Sequence, residues 1–291
     1  MKFADIKNDI AFRRIFGSED RKESLISFLN ATLQFEGLQR IKEVVIMNPY
    51  QLPKLKSDKA TIVDVKATDQ AGRSYIVEMQ VADKDGFDKR VLYYFAKAYS
   101  SQIKRGDQYR KLNPVYFIGI LDFEYTQSKN YISCSQILDV ETGEQTFKDV
   151  EFTIIELPKF KKKQSKLQNL FEKWVYFIKN AESLTFVPDD VDDEGLKSAY
   201  EGANQHTWTQ VELDAYDAVH IREEDLRAAL DKAVGKALAE GLEKGLAEGE
   251  LKSKIEVAEK AILKGFDNES IVELTGLLPK QIEELRKKIK Q

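Results

Sequence analysis

One stretch of this chain limits its fold more than any other. Two alternating runs, Thr61 to Ala67 and Ser74 to Val81, flank the polar segment Asp69-Gln70-Ala71-Gly72. Alternation on both sides of a glycine-bearing turn predicts a β-hairpin. Side chains along each strand divide by parity. Val63, Val65 and Ala67 share one face of the first strand, and Ile62, Asp64 and Lys66 the other. In the second strand Tyr75, Val77, Met79 and Val81 lie opposite in parity to Ile76, Glu78 and Gln80. A five-residue turn from Asp69 to Arg73 pairs Thr68 with Ser74. Val65 then lies across from Val77, and Asp64 across from Glu78.

Directly opposed residues have Cβ atoms roughly 4.5–5.5 Å apart, close enough for two carboxylates to repel. A divalent cation held by Asp64 and Glu78 resolves that repulsion, and oxygen ligands suit Mg²⁺ or Mn²⁺. Gln80 shares the face and can orient a water or a phosphate oxygen. Lys66 is a candidate to stabilise negative charge in a transition state. The Met79 backbone carbonyl is a candidate third metal ligand. Parity alone fits a plainer hairpin better, one whose acids simply face solvent, and a turn shorter by one residue would change the register.

Composition narrows the chemistry. The 291 residues hold 45 Lys+Arg against 49 Asp+Glu, a net charge of −4, so any nucleic-acid contact must come from a local patch. One cysteine, Cys134, and two histidines, His206 and His220, close off cysteine-cluster zinc sites and nearly close off histidine-based chemistry. Cys134 lies in a predicted strand and reads as a small buried side chain. Nucleotide-binding and nucleophile-elbow motifs are absent, so no small-molecule cofactor is expected. The N-terminus lacks a signal-peptide core, and the longest apolar run, Val115 to Leu121, is far short of a membrane span. A cytoplasmic protein with no membrane association is the expectation.

Around the hairpin, residues 5–35 read as helical with a break at Gly17-Ser18, and 41–56 as extended, with Pro49 and Pro53 as breakers. A helix over 85–105 ends at Gly106. Strands are predicted at Val115 to Phe123, Tyr131 to Val140 and Phe152 to Leu157, then a helix over 166–180. That order implies an α/β fold, a mixed sheet flanked by helices. Composition shifts near residue 183, dividing the chain into 1–182 and an α-helical C-terminal region, 183–291. Residues 207–264 form one long helix or a broken one, punctuated by Gly235, Gly241, Gly245 and Gly249, and two short helices follow. The glycine stripe suits self-association, or else a flexible linker. The terminal pair has helix-turn-helix proportions but reads better as a small bundle or dimerisation tip.

Several ordered stretches resemble one family. Asp64-Val65-Lys66-Ala67, Gly72 and Glu78-Met79-Gln80 are similar to the PD-(D/E)XK nuclease signature in its E-x-Q form. Lys7-Asn8-Asp9-Ile10-Ala11-Phe12 with Phe16-Gly17 resembles the N-terminal signature of the recombination-promoting nuclease (Rpn) family, a transposase-like group within that superfamily. Arg90, Tyr93, Tyr94, Tyr99, Gly106 and Tyr109, then Leu112-Asn113-Pro114-Val115, extend the match over about residues 5 to 160. The resemblance implies a restriction-endonuclease-like fold and Mg²⁺-dependent hydrolysis of DNA phosphodiesters in recombination, mobile elements or defence. It implies that Asp64 and Glu78 bind the metal. Gln80 stands where the wider superfamily has lysine, which leaves Lys66 to supply a cation. Asp9 would be the acid of the first helix. Lys7, Arg90 and Tyr94 are candidates to touch nucleic acid, as are Lys161, Lys162 and Lys163 in the basic run around Phe160, unless that run is a solvated loop. A homo-oligomer joined by the C-terminal helices is expected. The alternative is a catalytically silent DNA-binding or assembly protein on the same fold.

Overall fold

A computed structural model describes residues 1–47, 50–51 and 61–289. Pro49 and Pro53 lie outside the described residues, and so does the side chain of Ile62. The chain divides into two compact units, Met1–His220 and Ile221–Gln291.

The first unit is built on a six-stranded mixed sheet. Its strands are β1 (Val44–Met47), β2 (Val65–Asp69), β3 (Ser74–Gln80), β4 (Val115–Leu121), β5 (Ile132–Ile137) and β6 (Phe147–Glu156). They lie in the order β1-β2-β3-β4-β6-β5. Pairing is antiparallel from β1 to β3, parallel across β3, β4 and β6, and antiparallel again at β5. Parallel neighbours need a crossover, which α3 (Phe87–Ser100) provides between β3 and β4.

Both faces of the sheet are covered. On one, Val65, Ala67, Tyr75, Val77, Ile118 and Ile155 pack against α1 (Asp9–Phe16), α2 (Lys22–Leu33), α4 (Leu170–Asn180) and α5 (Glu194–Ala203). Phe16, Phe28 and Trp174 form a ring cluster there, with centroids 5.1–5.7 Å apart. On the other, Ile76, Val115, Phe117 and Ile154 meet Phe87, Val91 and Ala98 of α3. The polar parity of the hairpin therefore faces a second layer and not open solvent, and Glu78 is buried beneath it.

The hairpin register is the one its turn demands: Thr68 pairs with Ser74 and Val65 with Val77. Asp69 fixes the turn. Its carboxylate accepts from the Ala71 and Arg73 N–H groups (both 2.9 Å), Arg73 Nε (2.6 Å) and the Tyr75 hydroxyl (2.9 Å). Gly72 sits at φ +82, and a Cβ there would also press on the Asn113 amide at 3.0 Å. Asp69→Ala strands Arg73 and frees the turn, so a loss of about 3–5 kcal/mol in chemical denaturation is expected. An unchanged midpoint would show that the turn does not set the register.

Parity fails at one residue. Val63 packs with Ile76, Phe87 and Val91, away from Val65 and Ala67. The chain bends at Asp64 between the short Thr61–Ile62 strand and β2, so strict alternation stops there.

The expected boundary at 182 is not where the first unit ends. Leu196, Ala199, Tyr200 and Ala203 of α5 belong to its core. Gly195 lets α5 close on α2, for a Cβ there would fall 2.3 Å from the Glu23 carbonyl. Trp208 and Tyr216 pack with Ala4 and Ala11, and Tyr216 Oη accepts the Asp5 N–H. Cys134 is exposed on edge strand β5, as are the residues that follow it in that strand to Ile137, contrary to its reading as a buried residue.

The helix α6 (Gln210–Leu263) runs unbroken for 54 residues through its four glycines. In the second unit its end packs through Ala258 and Ala261 with Ile271 and Ile282 of a short pair, α7 (Asn268–Thr275) and α8 (Pro279–Ile289), and with Leu277 between them. No helix among the described residues is long and apolar enough to cross a membrane.

Candidate active site

The bend at Asp64 takes this residue out of the regular ladder, and two carboxylates replace the missing bonds. The Asp64 N–H donates to Glu78 Oε1 (3.2 Å), and the Met79 N–H donates to Asp64 Oδ2 (2.9 Å). Each acid thus holds a backbone donor of the opposite strand. A strand residue's N–H and C=O point to the same edge, so the Met79 carbonyl also points towards the Asp64 bend.

Burial makes the pair electrostatically costly. Glu78 is pushed well above the usual carboxylate range, first by burial and then by the charge of Asp64, against the pull of the Asp64 N–H, Arg90 and Gln80. Burial also raises Asp64. The Met79 N–H and Arg13 oppose that rise, while the charge of Asp9 adds to it. The pair is poorly neutralised by the protein itself and suited to a cation.

Arg13 was not among the residues singled out from the sequence. Its Nη2 lies 3.2 Å from Asp64 Oδ1, reaching a carboxylate only 10% exposed from a side chain 37% exposed. Its Nε is buried without an acceptor among the described residues. The available signal was its spacing from Asp9, four residues earlier and so on the same face of α1.

Gln80 ends β3 beside Glu78. Its Nε2 donates to Glu78 Oε2 (3.3 Å), and its Oε1 accepts from Arg90 Nη2 (2.6 Å). Tyr94, one turn along α3 from Arg90, packs on the core beneath that helix and is raised by burial and then by the charge of Glu78. Asp9 is exposed and acts on Asp64 through its charge.

Other candidates are placed differently. Lys66 pairs in register with Ile76 and has no hydrogen bond or ion pair among the described residues; burial alone lowers it. The structure does not bring its ammonium to the acids. Lys7 is held by Asp122 (3.2 Å) and Asp5 (3.7 Å), which leaves it little freedom to grip nucleic acid. The basic run is split. Lys162 is tied to Glu172 (2.5 Å), and Lys159 to the buried Glu156 (2.6 Å). Lys161 and Lys163 remain exposed.

Among the described residues no three His, Cys, Asp or Glu side chains converge on one point. Zinc, which takes three or four such ligands, does not fit. Mg²⁺ and Mn²⁺ do: such an ion takes one or two carboxylates and fills its other positions with water and substrate phosphate.

No curated protein and no solved structure matches the chain. The family model of the PD-(D/E)XK nuclease family transposases matches residues 6–233, which include the whole sheet, the acid pair and the start of α6. With that match over most of its length, on a mixed sheet whose hairpin brings two acids together, the chain belongs to the PD-(D/E)XK nuclease family transposases.

Proposed function

We propose that the first unit is a metal-dependent DNA endonuclease acting in DNA mobility, recombination or defence. Asp64 and Glu78 would hold Mg²⁺ or Mn²⁺, joined by the Met79 carbonyl. The observation that carries this reading is the reciprocal clamp, which holds two buried acids together against their mutual repulsion. When bound, the ion supplies Lewis acidity for water attack at a phosphodiester.

The chain's own residues do the rest. Asp64 and Glu78 are kept in place by backbone donors that cannot drift. Gln80 directs an N–H at Glu78 and towards the space a phosphate oxygen would take. Arg13, released from Asp64 once that carboxylate is engaged, can offer its guanidinium to phosphate, and its unpartnered Nε gains an acceptor. Asp9 adds negative charge at the same end of α1. Lys161 and Lys163 are the exposed members of the basic run and suit backbone contacts with DNA.

One observation favours a second reading. Arg13 already pairs with Asp64, as it would in a catalytically silent DNA-binding protein. Supercoiled plasmid incubated with Mg²⁺, Mn²⁺ or EDTA separates the two. Nicking or linearisation in either metal and none in EDTA is expected; retention without cutting in all three would establish the silent form.

Self-association through the C-terminal helices is part of the same proposal. Leu230, Val234, Leu238, Leu242 and Leu246 recur at four-residue spacing on α6 and are all more than half exposed. The same preparations, sized by light scattering, should exceed the monomer mass of 33.4 kDa, and a monomer would refute it.

A further inference from the structure

Gln80 lies between a donor and an acceptor. Arg90 has only donors, and Glu78 Oε2 accepts from Gln80 Nε2. The side-chain amide is one of the few groups that can face both, and in one orientation only. Its oxygen meets Arg90 Nη2 at 2.6 Å, and its nitrogen meets Glu78 Oε2 at 3.3 Å. Arg90 is itself held: it projects from the first turns of α3, and its guanidinium lies 5.6 Å from the Phe87 ring centroid.

Resting on the nuclease reading, we infer that Arg90 is a positioning residue that fixes Gln80 as a hydrogen-bond donor towards Glu78 and the reacting phosphate. The relay runs one way. Arg90 donates to the amide oxygen, polarises the amide, and so strengthens its N–H groups as donors. One N–H serves Glu78 and the other is left for an oxyanion. The two properties of a lysine are then divided between two residues: Gln80 supplies the directed donor and Arg90, behind it, the charge. This explains how the chain manages with Lys66 away from the acids. It also commits one Arg90 donor, Nη2, to Gln80 at 2.6 Å.

Two measurements on the full chain test this. The first needs no metal or substrate. Thermal unfolding in EDTA is compared for Arg90→Ala, Gln80→Ala and the double variant. Because the two side chains act through one bond, the double variant should lose clearly less than the sum of the two single losses. Additive losses would overturn the inference. The second is plasmid cleavage with Mg²⁺. Arg90→Ala should lower kcat about 10²-fold with KM for DNA changed less than about threefold. Adding Gln80→Lys to Arg90→Ala should recover at least tenfold, because a lysine there carries donor and charge together. A raised KM with intact kcat, or no recovery in the double variant, would overturn it. If the unaltered chain fails to cut, the nuclease reading falls while the unfolding cycle still decides whether Arg90 and Gln80 act as a coupled pair.

Discussion

Asp64→Ala is expected to reduce metal-dependent plasmid cleavage by at least about 10³-fold, the several kcal/mol that a well-placed ion contributes to a transition state. Asp64 is one of two side chains proposed to hold the ion, and it also accepts the Met79 N–H that keeps β3 in place. Alanine removes both roles. Asp64→Asn separates them, because its amide oxygen can still accept the Met79 N–H while the negative charge is gone. Its amide nitrogen then faces Arg13 Nη2, which Asp64 Oδ1 accepted, so Asp64→Asn should unfold between the original chain and Asp64→Ala yet lose cleavage almost as fully. Cleavage by purified Asp64→Ala at more than about a tenth of the original rate would remove the acid pair from the mechanism.

Glu78→Gln should change stability and metal response in opposite directions. Glu78 is buried, and both its burial and the charge of Asp64 disfavour its ionised form. Glutamine keeps an oxygen for the Asp64 N–H and removes the like-charge repulsion, which outweighs the long 3.3 Å bond that its amide nitrogen can no longer accept from Gln80 Nε2. In EDTA near neutral pH the variant should unfold at the same temperature as the original chain or higher. A ligand present at 100 times its dissociation constant stabilises the folded state by about 2.7 kcal/mol. For a unit of this size that is a rise of roughly 5–10 °C on saturation with Mg²⁺. The original chain should show that rise and Glu78→Gln should not. Differential scanning calorimetry with and without Mg²⁺ reads both effects. A variant that is strongly destabilised in EDTA would mean that Glu78 is a structural acid and not a strained one.

The register that places these acids was legible because it depends on local chemistry. Turn length and alternation fix which residues oppose, and the Asp69 carboxylate holds that turn. The break at Val63 was not legible, since alternation continues through it in the sequence while the backbone bends at Asp64. The cations were the least legible part. Lys66 shares a nominal face with Asp64 but makes no hydrogen bond or ion pair among the described residues, whereas Arg13 arrives from α1, fifty-one residues earlier. Contacts at that separation leave no periodic trace. The same holds for the basic run: four lysines within five residues look alike in sequence, yet Glu156 and Glu172 claim two of them in three dimensions. The boundary near 183 followed a real change in composition, but α5 and the start of α6 are drawn into the first unit by Leu196, Tyr200 and Trp208, which a charged surrounding sequence disguised.

Crystals soaked in Mn²⁺ and measured at the manganese absorption edge test the central claim most directly. An anomalous peak about 2.0–2.2 Å from carboxylate oxygens of both Asp64 and Glu78, with Arg13 drawn off Asp64, is the expected result. Density showing Arg13 still paired with Asp64, and no anomalous peak between the two acids at saturating Mn²⁺, would contradict it.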